Sequence, residues 1–94
     1  MDRRARIEAA LRRELGADPV LVVDESHLHA GHAGARGGAG HFRVVVVSGR
    51  FDGKGPVERQ RLVYAALADQ MGTEIHALSM RTLTPEEHGA GRAG

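Results

Sequence analysis

A chain of 94 residues that is 41% hydrophobic is long enough for one domain with a modest core and too apolar for a disordered tail. Aromatic residues make up only 3%, so the core is expected to be aliphatic, and the absence of cysteine excludes disulfides and any thiolate supplied by this chain. The formal net charge of +1 is short of a strong nucleic-acid footprint, no apolar run approaches the ~20 residues that span a bilayer, and the charged opening stretch lacks a signal-peptide core, so the expectation is a cytoplasmic protein with no membrane contact.

Asp2 is placed to cap a helix that runs to about Leu15, with Ile7, Leu11 and Leu15 as its apolar stripe and Gly16 as its stop. Arg4 with Glu8, and Glu8 with Arg12, have the spacing to pair on its wet face. Residues 20–23 (VLVV) predict a first strand and residues 42–48 a second, whose run of valines suits a central position. Residues 49–55 (GRFDGKG) predict a turn. Pro56 opens a helix expected to reach about Met71, with Val63, Leu67 and Met71 buried and Gly72 ending it. Residues 74–83 predict a third strand. Thr84, Pro85 and Glu87 then form a capping pattern for one short helical turn. Residues 1–88 are expected to form the domain, and residues 89–94 a disordered tail. A helix between the second and third strands makes that pair parallel if they are adjacent, and the first two form an antiparallel pair, so the chain predicts an α+β domain with a three-stranded mixed sheet and helices on one face.

Between the first two strands lies HLHAGHAGARGGAGHF, with His27, His29, His32 and His41 among five glycines. A hairpin loop is usually about 2–5 residues, so a connection of this length in so small a domain is functional or disordered. His27 and His29 fall on the same side of an extended segment, which also describes an adventitious zinc or nickel site. His41, at the start of a strand, reads as structural. His76 alternates with Leu78 and Met80, the pattern of a core-edge histidine bonded to backbone.

The stretches VVDESHLHAGH, HFRVVVVSGRFDGKGPVERQRLVYAALADQM, IHALSM and TPEE resemble the BolA family, and the likeness runs through residues 2–87. The resemblance implies a domain like the second type of KH domain, in the order αββααβ, with an extra short helix beginning near Lys54. It also implies partnership with a monothiol glutaredoxin around a shared 2Fe-2S cluster. The glutaredoxin cysteine and a bound glutathione would supply two thiolates. His76 would supply one of the remaining ligands and His29 the other, with His32 or His27 as substitutes. Neutral imidazole is a sound iron ligand; in place of thiolate it raises the reduction potential and makes binding depend on pH near 6.5. Where the family usually has Arg-His-Arg, this chain has Arg59-Gln60-Arg61.

The alternative function is a KH-like DNA-binding transcriptional regulator. Its basic candidates are Arg50, Lys54, Arg59 and Arg61, and the last three could equally meet an acidic protein partner or the glutathione carboxylates. The turn before the helix, Gly53-Lys54-Gly55-Pro56, is not the GxxG that clamps a nucleic-acid backbone, and stacking aromatics are nearly absent. A small oligomerising domain whose loop binds stray metal is the third reading; on the first, the free chain is expected to be a monomer or weak homodimer. Catalysis is not expected: Ser26 beside His27 cannot form a triad, and no phosphate loop or dinucleotide fingerprint occurs.

Overall fold

The computed structural model describes residues 1–26 and 40–93, with side chains through residue 90. Helix α1, Arg3–Leu15, starts where expected: Asp2 is extended and its carboxylate accepts the Ala5 N–H at 2.7 Å. It stops at Gly16, whose φ of 58° lies in the left-handed region that glycine adopts without strain. Ile7, Ala10, Leu11 and Leu15 form its buried face. Its wet face departs from the expected pairs. Arg12 pairs with Asp18 at 3.3 Å rather than with Glu8, and Arg6 reaches across to Glu74.

Strands β1 (Val20–Asp24), β2 (Gly40–Val47) and β3 (Ile75–Leu83) form one sheet in the order β1-β2-β3. β1 and β2 are antiparallel; β2 and β3 are parallel. Val20 and Val22, then Phe42, Val44 and Val46, then Ile75 line one face and enclose a single core with α1 and the second helix. Each fully buried aliphatic contributes about 1.5–3 kcal/mol, which suits a core with so few aromatics. The other face carries Leu21, Arg43 and Ser79 in the open. The fold is therefore the α+β mixed sheet with helices on one face that the pattern predicts.

Three details differ. The short helix implied near Lys54 is instead a 3-10 turn at Gly49–Phe51, set by Ser48 and anchored by the fully buried Phe51. Ser48 Oγ accepts the Arg50 N–H at 3.0 Å and donates to the Leu15 carbonyl at 2.6 Å, which ties this turn to the end of α1. Helix α2, Pro56–Ala66, ends five residues early. The Leu67 N–H is shared between the carbonyls of Val63 (3.1 Å) and Tyr64 (3.2 Å), and the chain tightens into turns up to Gly72, at φ 82°. Helix α3 runs Pro85–Ala93, past the single turn expected and past the boundary placed at residue 88. Its capping box is as predicted: Glu87 Oε1 accepts the Thr84 N–H at 2.8 Å, and Thr84 Oγ1 accepts the Glu87 N–H at 3.1 Å.

Candidate functional site

The start of β3 is irregular. Gly40 pairs with Ile75, but His41 pairs with Ala77, so His76 is an extra residue with no partner on β2. The extra residue turns the strand, as bulges do. Ile75 goes into the core, 1% exposed, and His76 comes out to solvent. Simple alternation from Leu78 and Met80 puts His76 on the core face; that expectation is corrected here. The imidazole is not a core-edge group.

The segment that carries the other histidines begins and ends beside this point. Glu25 donates its N–H to the His41 carbonyl at 2.8 Å, and Ser26 Oγ accepts the His41 N–H at 3.1 Å. Asp24 Oδ1 in turn accepts the Ser26 N–H at 2.9 Å. On the far side, Gly40 donates to the Glu74 carbonyl at 2.9 Å. Residues 26 and 40 are thus brought together at the end of the sheet, against the first residues of β3. Gly40 is needed for this approach: a Cβ there would lie 2.5 Å from Ser26 Oγ and 2.8 Å from the Phe42 ring. His27, His29 and His32 lie outside the described residues.

His41 is built into the sheet through its backbone, in keeping with a structural part, and its Nε2 lies 3.9 Å from Glu25 Oε1. Glu25 Oε2 also faces Arg43 Nε at 3.6 Å. Chain spacing places Asp24 and Glu25 beside the histidines and no more. It carried no signal for Glu25 as the carboxylate between His41 and Arg43, or for Ser26 and Gly40 as the pair that closes the segment. Among the described residues no group of three or more His, Cys, Asp or Glu stands ready to hold a metal ion.

The basic candidates separate. Arg61 and Arg50 are exposed and Lys54 is half-buried. Arg59 is tied within the chain: its side chain is only 14% exposed and grips Glu87 with two hydrogen bonds, of 2.6 and 3.2 Å. Its Nε donates to the Lys54 carbonyl at 2.7 Å, Nη1 reaches the Thr82 carbonyl at 3.4 Å, and the guanidinium sits 6.0 Å from the centre of the Phe51 ring. The Arg59 hydrogen bond, followed by the Thr84 N–H, holds the Glu87 carboxyl down at about 2. The same contact pushes the Arg59 pKa up, against the effect of burial. Among the described residues no helix is long and apolar enough to cross a membrane.

Comparison with known proteins follows the same lines as the geometry. Residues 11–87 match the family model described as BolA-like protein. Human BolA-like protein 1 is 44% identical over 82 residues, covering 86% of this chain and 60% of that protein. The Escherichia coli DNA-binding transcriptional regulator BolA is 42% identical over 84 residues, covering 89% of this chain and 77% of that protein. An Arabidopsis thaliana relative, SufE-like protein 1, chloroplastic/mitochondrial, is 44% identical over 87 residues, yet the match spans 24% of its length. The solved BolA domain of SufE1 from that plant superposes with a TM-score of 0.80 at 40% identity, over 93% of this chain and 96% of that one.

Proposed function

This chain belongs to the BolA-like family, and from that premise we propose that it is a non-enzymatic adaptor that binds a monothiol glutaredoxin and co-ligates a shared 2Fe-2S cluster. Its own ligands are His76 and a histidine of the segment after Ser26, His29 or His32, and its role lies in iron–sulfur trafficking or iron homeostasis. The observation that carries this reading is the displacement of His76 into solvent, at the one end of the sheet where residues 26 and 40 bracket the histidine segment. His29 follows Ser26 by only three residues in the chain.

The donor set fits a shared cluster. His76 brings one imidazole, the segment brings a second, and the glutaredoxin cysteine with glutathione completes the shell. When bound, the cluster supplies reversible one-electron chemistry at iron, and imidazole ligation raises its potential. The chain's part is to present the His76 imidazole from the sheet, and to bring the second imidazole up from a segment whose two ends are fixed. Arg61, exposed, and Lys54, half-buried, are the basic groups offered to acidic groups of the glutaredoxin or to the glutathione carboxylates; the Arg59 guanidinium is also bonded to Glu87. The test is cluster reconstitution with a glutathione-loaded monothiol glutaredoxin. A heterodimer with an altered visible spectrum is expected, and it is lost in His76→Ala. A spectrum unchanged by that substitution overturns the reading.

One observation favours a second reading: the Escherichia coli relative is named a DNA-binding regulator, and Arg50, Lys54 and Arg61 sit near the start of α2. That reading requires salt-dependent retardation of duplex DNA by the protein alone.

A further inference from the structure

Glu74 stands just before the first residue of β3, and three parts of the chain meet on it. Its N–H donates to the Gln70 carbonyl at 2.9 Å, which fastens it to the turns that follow α2. Its carbonyl accepts the Gly40 N–H, also at 2.9 Å, which fastens it to the end of the histidine segment. Its carboxylate accepts from Arg6 Nη2 of α1. The helix that carries this guanidinium is a fixed part of the fold: Ile7, beside Arg6, is fully buried, and Ser48 Oγ holds the Leu15 carbonyl at the other end.

The residue that depends on this join is His76. Pairing with β2 runs without a break from Ala77, opposite His41, to Leu83, and on the other side Ile75 lies opposite Gly40. A residue outside the ladder takes its direction from the residues that flank it. On one side of His76 these are the paired residues 77–83. On the other they are Ile75, held in the core, and Glu74, whose place is set from α1 by Arg6. We propose that Arg6 is a positioning residue for His76: paired with Glu74, it fixes the start of β3 against α1 and, through Gly40, fixes the spacing between His76 and the end of the histidine segment. This rests on the reading of His76 as a cluster ligand.

The size of the effect follows from where the pair sits. The Arg6 and Glu74 side chains are 45% and 27% exposed, and ion pairs this wet add little to global stability. Ligation is more demanding of position than folding is, because a binding constellation has to be held within about 0.5 Å. The contribution of the pair therefore falls on local opening of the join and on ligation, and not on melting.

Amide exchange in the free chain tests the first part. Arg6→Ala should speed exchange at Gly40 and Glu74 by about two- to fivefold, the range an exposed pair supplies. Exchange at Val44 and Val46, and the melting temperature, should stay where they are. Reconstitution with a glutathione-loaded monothiol glutaredoxin tests the second. Arg6→Ala should weaken the cluster-bearing complex by a similar factor and move the visible circular-dichroism bands of the cluster, which respond to ligand geometry. Glu74→Gln should reproduce both effects, and the two substitutions together should add nothing further. Arg6→Glu combined with Glu74→Arg should restore both readouts. Gly40 exchange indifferent to Arg6→Ala overturns the proposal. So does a loss of affinity in Arg6→Ala that Glu74→Gln does not share, which would mark a direct contact between Arg6 and the glutaredoxin. A spectrum lost in His76→Ala but unmoved in Arg6→Ala overturns this proposal alone; a spectrum unmoved in His76→Ala overturns the ligand reading and the proposal with it.

Discussion

The two ends of β3 are put to opposite uses. At the start, the register shift leaves His76 unpaired and turns it to solvent, and the nearby polar groups join two distant points of the chain. At the finish, Thr82, Thr84 and α3 are fastened by Arg59 and Glu87, with Phe51 beneath the guanidinium. The ladder is broken and a side chain is exposed at the start; donors are matched by acceptors at the finish. Arg59, one of the basic candidates, is held at this second place.

The contrast is broken most severely by His76→Ala. Cluster-bearing heterocomplex formation should vanish, while the unfolding free energy moves by less than about 0.5 kcal/mol, since an exposed residue off the ladder holds nothing in place. Reconstitution spectra and urea unfolding measure the two halves of that statement. Next is Ile75→Ala, the neighbour that the shift sends inward. It should cost about 2–5 kcal/mol in urea unfolding, because the cavity sits under the strand start. If it costs less than about 1 kcal/mol, the strand is not anchored through Ile75.

Effects at the other end are smaller. Thr84→Ala removes the hydroxyl that accepts the Glu87 N–H and should lower stability by about 1 kcal/mol, read by chemical denaturation. The smallest effect is on acid titration. The Glu87 carboxyl is held at about 2 in the folded chain against an ordinary 4.5. A depressed carboxylate contributes its stabilisation fully above the ordinary value and loses it as pH falls towards the folded one. The melting temperature should therefore fall between about pH 4.5 and 2, and part of that fall should be absent in Glu87→Gln. A slope identical in the two proteins would remove Glu87 from the account.

Much of this was legible in the chain. The Asp2 cap, the Gly16 stop, the Pro56 start and the Thr84–Glu87 box each depend on residues within one turn of one another, so local spacing is enough to find them. The helix between β2 and β3 sets their pairing as parallel once the two strands are neighbours. The early end of α2 was not legible, because a stripe of Val63, Leu67 and Met71 persists through a change from helix to turns.

Residue order by itself determined the elements, the mixed sheet and the family, because periodicity, caps and crossovers are set by neighbours in the chain. Tertiary structure decided which way His76 faces, since a single unpaired residue reverses strand parity, and only Gly40 and Ile75 meeting across the sheet show where it falls. It also decided that Arg59 holds Glu87. No local rule fixes a contact between residues this far apart, because it depends on where the whole chain has brought them.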